Sequence, residues 1–223
     1  MKFKMAYAIK CRSVFSLVVV MFAFLLNGCM GHDIKPVQFY RLSADSSIND
    51  QPLAITQGKS VGPVIGLGPI HIPEYLNRPQ IVVGVTEHQY RLSEDHRWAE
   101  PLDQNISLAL FKALPGQLGT DRLVRYPWPQ RQVIDYQIGI DILEFNVDEN
   151  GQGRLIAQWF IKRKDQPTID KRSVYQAPAS ITDYEMIAKA QSQCLGKLGH
   201  EIAETLRQNQ LAPDAAPNNF VIK

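Results

Sequence analysis

Residues 134–147 constrain the fold of this chain more than any other stretch. Ile134, Tyr136, Ile138, Ile140 and Ile142 alternate with Asp135, Gln137, Gly139 and Asp141, the period-two pattern of a strand with one buried face. After Ile142 the phase flips: Leu143, Phe145 and Val147 carry the apolar positions and Glu144 and Asn146 the polar ones. An uncorrected slip of one residue would turn the second half out of the core, so a β-bulge near Ile142 and Leu143 is expected. Asp148-Glu149-Asn150-Gly151 reads as a turn, and Leu155, Ala157, Trp159 and Ile161 return as the partner strand. Residues 165–168 turn again and 172–176 form a third strand, which makes an antiparallel meander.

The meander runs into the strongest helical signal in the chain. Thr182 and Glu185 stand in capping-box register. Tyr184, Ile187, Ala188, Gln191, Cys194, Leu195, Leu198, Ile202 and Leu206 then recur at three and four, a stripe suited to packing on a sheet. Earlier in the chain, residues 37–43 are aromatic and β-branched enough for a first strand, and 44–63 read as a long surface connection. Residues 64–72, 81–85 and 89–92 are further strands. Pro101 suits the first position of a helix whose apolar face is Leu102, Ile106, Ala109, Leu110 and Ala113, and Pro115-Gly116 should end or tighten it. The expected fold is α+β: a mainly antiparallel sheet with two helices on one face, in a single domain over residues 37–210. Residues 211–223, rich in Pro, Ala and Asn, form a disordered tail.

The N-terminus has a separate logic. Lys2, Lys4, Lys10 and Arg12 are the only charges among the first 28 residues, and residues 14–26 are almost purely apolar. That run is too short for a permanent span, which needs about 20 residues for ~30 Å of hydrocarbon, and it reads as a secretory signal over residues 1–28. Leu26-Asn27-Gly28-Cys29 resembles a bacterial lipobox, with a small residue directly before the cysteine that can carry a thioether-linked diacylglycerol. Cys29 is then the lipidated first residue of the mature chain and 29–36 a short linker, anchoring the protein without a transmembrane helix. Met30 stands where many inner-membrane lipoproteins carry Asp, so the resemblance directs the chain to the outer membrane, facing the periplasm. Cleavage also removes four cations, leaving 20 Lys and Arg against 22 Asp and Glu. The apparent basicity belongs to the signal, and nucleic acid is not an expected partner.

Catalytic constellations are scarce. No G-x-S-x-G, H-E-x-x-H, C-x-x-C or phosphate-loop motif occurs. Gly66-x-Gly68 is followed at once by Pro69 and reads as close backbone approach within a strand. His71, His88, His96 and His200 are not at metal-ligand spacing, and Cys194 reads as a buried small hydrophobe. Asp135 with Asp141, and Glu144 with Asn146 and Asp148, read as solvated strand faces. Asn105-Ile106-Ser107 matches a glycosylation sequon without functional weight. Neither an enzyme nor a cofactor or metal is expected.

Three groups of residues carry a resemblance: Phe39-Tyr40-Arg41-Leu42; residues 68–82, which include Pro73-Glu74-Tyr75-Leu76-Asn77-Arg78-Pro79; and Arg97-Trp98-Ala99-Glu100-Pro101-Leu102. In this combination the chain resembles the ABC-type transport auxiliary lipoproteins, in particular the PqiC (YmbA, paraquat-inducible protein C) group, departing at Gly84 and in its tail. The resemblance implies an outer-membrane lipoprotein that works with a periplasm-spanning MCE-domain (PqiB-like) protein and an inner-membrane PqiA-like protein in lipid transport; a homo-oligomer is compatible with it. Tyr75, Arg78, Arg97, Trp98 and Glu100 are its candidate partner surface, or the structural corner beneath it, with Trp98, Tyr75 and Leu76 as core fillers in the second case. A rival expectation is a periplasmic lipid carrier with an apolar cavity between sheet and helices, which small residues such as Ala109, Ala188 and Ala190 would permit. An envelope hydrolase comes third.

Overall fold

The bulge expected at the phase flip organises the sheet. In the computed structural model, strand β6 (Tyr136–Val147) pairs with β7 (Gln152–Arg163) along its whole length, and the register slips by one between Ile142 and Glu144. Leu143 is the extra residue and turns to solvent, while Ile142, Phe145 and Val147 stay buried. The structure describes residues 36–44, 62–164 and 166–211. The expected signal, Cys29 and residues 30–35, most of the 44–63 connection, Asp165 and residues 212–223 lie outside the described residues. The chain divides into two units, Met1–Pro36 and Val37–Lys223, and the fold that follows is that of the second.

The other edge of β6 is shared. Its first half pairs in parallel with β2 (Ile65–His71), and its end meets β3 (Gln80–Thr86) at Val83 and Val147. Short β5 (Leu123–Arg125) adds in parallel to β2, and β4 (Gln89–Trp98) pairs antiparallel with β3. Strand β1 (Gln38–Tyr40) lies parallel to the end of β4, and β8 (Ile169–Pro178) closes the meander beyond β7. The eight-stranded sheet is therefore mixed, with the long registers antiparallel. Helices α1 (Leu102–Leu118) and α2 (Tyr184–Leu211) complete the α+β domain.

Several boundaries differ from the sequence expectation, each for a local reason. The first strand stops at Tyr40 because Leu42 turns its N–H to Asn105 Oδ1 of α1, at 2.9 Å. Strand β4 continues six residues past Leu92 because β1 and Pro79 supply partners that its polar residues do not advertise. Pro115 does not end α1, since a missing N–H costs one bond in the last turn; left-handed Gly119 ends it by donating to the Pro115 carbonyl at 2.9 Å. Pro101 flanks α1 rather than opening it. Asp135 precedes β6 and accepts from the Val64 N–H at 2.7 Å, so it does not share a strand face with Asp141. Asn146, expected at a solvated face, is buried because β3 lies alongside it.

The α2 stripe is buried as expected from Ile187 through Leu206, with Tyr184 half-exposed at its start. Its cap is one residue off. Asp183 Oδ1 accepts the N–H groups of Glu185 and Met186 at 3.0 and 3.1 Å, the arrangement of an N-cap, in place of Thr182. Asp183→Ala is accordingly expected to cost about 1 kcal/mol and Thr182→Ala much less, read as a difference in urea midpoints; equal effects would contradict the assignment.

Small residues serve close packing. A Cβ at Gly153 of β7 would stand 2.9 Å from the Ala190 Cβ of α2, so the helix rests on the strand where neither side chain intrudes. Cys194 points at the Gly153 carbonyl, 3.6 Å away, and burial pushes its thiol up to about 11, against the pull of Lys197. Gly66 and Gly68 are likewise sites of close approach: a Cβ at Gly66 would meet Ile134 and Trp128 at 3.0 Å, and one at Gly68 the Tyr126 Cβ at 2.6 Å. Ala109, Ala188 and Ala190 belong to the continuous core that Trp159, Phe145 and Leu110 fill.

Candidate functional site

Backbone hydrogen bonds gather Phe39–Leu42, Pro79 and Trp98–Leu102 at one corner of the sheet. Tyr40 pairs with Trp98 across β1 and β4. The Trp98 N–H donates to the Pro79 carbonyl at 2.7 Å and the Ala99 N–H to the Tyr40 carbonyl at 2.8 Å. Between β2 and β3 the chain makes one turn of 3-10 helix (Glu74–Leu76), in which the Leu76 N–H reaches the Pro73 carbonyl at 2.9 Å and Leu76 plugs the core. Prolines at 73, 79 and 101 restrict the backbone around the corner.

The residues singled out from the sequence divide here. Trp98 is 4% exposed and fills the core beneath the corner. Tyr75 is half-buried and stacked on Tyr90, with ring centroids 4.9 Å apart; burial, then its neighbour Tyr90, holds its phenol above the ordinary tyrosine range. Arg97 is spent locally: its Nε–H donates to the Glu94 carbonyl at 3.0 Å and its Nη2 lies 3.3 Å from the Glu94 carboxylate. Arg78 and exposed Glu100 make no ion pair among the described residues, and Arg78 Nε is enclosed without a hydrogen-bond partner. Two unmatched charges of opposite sign thus flank the Pro79–Trp98 contact, beside the stacked tyrosines. Such a surface can recognise a partner's charged groups. Cys29 lies outside the described residues.

A second polar group joins α2 to the sheet. Trp159 Nε1–H donates to Ser173 Oγ at 3.0 Å, and Ser173 donates to Glu201 Oε2 at 2.7 Å. The Tyr175 hydroxyl donates to the same oxygen, while Lys171 Nζ lies 3.6 Å from Oε1 and donates to Thr205 Oγ1 at 2.9 Å. Burial by itself would raise the Glu201 pKa; the hydrogen bonds from Tyr175 and Ser173 and the Lys171 charge outweigh it and hold the carboxyl below its usual range. A carboxyl depressed on folding stabilises the protein fully above its unfolded value, near 4.3, and that contribution is lost as pH falls through the lower folded value. Glu201→Gln is therefore expected to flatten the acid limb of stability below about pH 4.5, measured by urea unfolding across pH. A parallel limb in both proteins would remove Glu201 from acid unfolding. Sequence reading missed this group because its members become neighbours only when α2 lies on β8.

Elsewhere, His71 Nδ1 and Asp141 Oδ1 sit 2.8 Å apart on the surface. Among the described residues no group of three or more His, Cys, Asp or Glu is placed to hold a metal ion. Nor is any described helix long and apolar enough to cross a membrane.

Comparisons with known proteins bear on the family and the fold. Residues 40–203 match a family model, the ABC-type transport auxiliary lipoprotein component. No curated protein matches significantly. Among solved structures, an uncharacterized protein superposes with a TM-score of 0.61 at 18% identity, over 77% of this chain and 99% of its own. Protein XCC0632 from Xanthomonas campestris does so with a TM-score of 0.55 at 16% identity, over 79% and 98%. At such identities the likeness is one of fold.

Proposed function

The chain belongs to the ABC-type transport auxiliary lipoprotein components, a membrane-associated family of transport auxiliaries that is not a known enzyme family, and from that premise we propose that it is a docking subunit of the PqiC kind. In this reading it is anchored through Cys29 in the outer membrane, faces the periplasm, and holds the end of a periplasm-spanning MCE-domain (PqiB-like) protein whose inner-membrane companion is PqiA-like. Its role is non-catalytic and serves lipid movement between the membranes. The observation that carries this reading is the corner built by the conjoined segments. A rigid frame of backbone hydrogen bonds and prolines presents Tyr75, Arg78 and Glu100, and leaves the two charges without an ion-pair partner among the described residues. Buried, well-packed supports beneath exposed charges are what a specific interface needs, since rim charges steer encounter and core anchors set dissociation. A tether of a few residues keeps that surface near the bilayer at high effective concentration.

The test is affinity capture of the full-length lipoprotein in mild detergent with mass spectrometry, beside Arg78→Ala/Glu100→Ala. Enrichment of an MCE-domain protein by the wild type, reduced at least tenfold in the double variant, is the expected result. Recovery of the lipoprotein alone across several detergents would overturn docking.

A further inference from the structure

A groove of about 540 Å³ runs along α1 beside the segment that follows β1; it shares Glu100 with the docking corner but not Tyr75 or Arg78. Its floor holds a buried polar group with an unused donor. Asn105 is 3% exposed, and its Oδ1 is committed to the Leu42 N–H at 2.9 Å. That bond settles the orientation of the amide, because Leu42 offers a donor and needs an acceptor. Asn105 Nδ2 therefore remains as a buried donor with no partner among the described residues, a situation that costs roughly 1–3 kcal/mol if nothing fills it.

Two cations stand over the same groove. Arg41 precedes Leu42, and Lys112 lies two turns beyond Asn105 on the same helical face, about 10 Å along the axis. Helical side chains lean toward the N-terminus, so Lys112 reaches back over Leu108 and Ala109 in the direction of Asn105. Neither cation has an ion-pair partner among the described residues, and Glu100 is the single carboxylate among the lining residues. The donors thus comprise a planar guanidinium fork, an ammonium and an amide N–H around one space, with net positive charge. That set matches the several acceptor oxygens of a phosphate group. Directly beside it the floor turns apolar, at Leu108, Ala109 and Ala113.

We propose that this groove binds the phosphate of a lipid headgroup, with Arg41, Lys112 and Asn105 Nδ2 on the phosphate and the apolar floor of α1 under the glycerol and first acyl carbons. The lipid source rests on the reading of the chain as an anchored transport auxiliary. Eleven residues lie between Cys29 and Arg41, so Arg41 stays within roughly 40 Å of the anchor along the chain. Free phosphate would use the same donors and gain nothing from the apolar floor.

The experiment titrates the full-length lipoprotein in dodecyl maltoside with dihexanoyl phosphatidylglycerol, and separately with inorganic phosphate, by calorimetry. The variants are Arg41→Gln/Lys112→Gln, which changes two exposed side chains, and Gly116→Trp. A Cβ at Gly116 meets nothing within 4 Å, so a side chain can start there and extend over the end of the groove. Saturable lipid binding that falls at least tenfold in the double variant, falls in Gly116→Trp, and weakens with added salt is the expected result. Inorganic phosphate binding as tightly as the lipid would overturn the lipid source. No saturable binding by the wild type, or equal binding by the variants, would overturn the site. Capture of the MCE-domain partner by the Arg41→Gln/Lys112→Gln variant separates this from docking: lost lipid binding with retained capture is the expected pair, and retained lipid binding with failed capture by the wild type would remove the docking reading alone.

Discussion

Trp159→Ala is expected to lower stability by about 3–5 kcal/mol, seen as a large fall in the urea midpoint at an unchanged slope. Trp159 is 2% exposed, stands at the middle of the longest antiparallel register, and faces α2 in the core. Its removal leaves a cavity that a sheet pinned on both sides cannot close. The same side chain feeds the Ser173–Glu201 hydrogen bonds, and Lys171 Nζ lies over its ring at 5.5 Å. Trp159→Phe separates the two contributions: it keeps most of the volume and loses the N–H, so a cost of about 1–2 kcal/mol is expected. If the two substitutions cost the same, the hydrogen-bond network and not the buried ring holds α2 to the sheet. Since a domain of ordinary size has only about 5–15 kcal/mol in total, the alanine variant stands near the limit of folding.

On the proposed anchoring through Cys29, Cys29→Ala is expected to abolish acylation outright. Metabolic labelling with palmitate should mark the wild type and leave the variant blank. Loss is complete because alanine has no sulfur to carry a thioether, and the lipid matters to attachment because residues 14–26 are too short to span and no described helix is long and apolar enough to cross a membrane. Stable attachment then depends on acyl chains, each buried CH₂ contributing ~0.8 kcal/mol, with two chains needed for a lasting anchor. Cys194→Ala is the control and should label as the wild type does, because that thiol is buried in the core. Undiminished label in Cys29→Ala would place the lipid elsewhere or remove it from the account.

Both predictions draw on what local periodicity exposes. The bulge at Leu143 was legible because a phase flip inside one strand has few remedies, and the burial of α2 was legible because a stripe at three and four has few uses. Cap assignment was less so: Thr182 and Asp183 are adjacent acceptors, and only the backbone path into α2 selects Asp183. The parallel pairs β1–β4 and β2–β6 left no mark in the sequence, since partners such as Phe39 and Arg97 carry no shared local pattern. Of the candidate surface, Arg78 and Glu100 have no ion-pair partner among the described residues, while Trp98 is buried and Arg97 is engaged by Glu94.

Sequence alone determined most of the strands and both helices, the meander, the lipobox-like stretch and the family, because each is written in neighbouring residues; it held no sign of β5 (Leu123–Arg125) or of the second half of β4. Tertiary structure decided which distant segments meet: Tyr40 against Trp98, Arg41 above Asn105 and Lys112, Glu201 against Ser173. The physical reason is that burial and polar satisfaction are properties of the assembled chain, so a free charge or an unused donor exists only once every other group has found its partner.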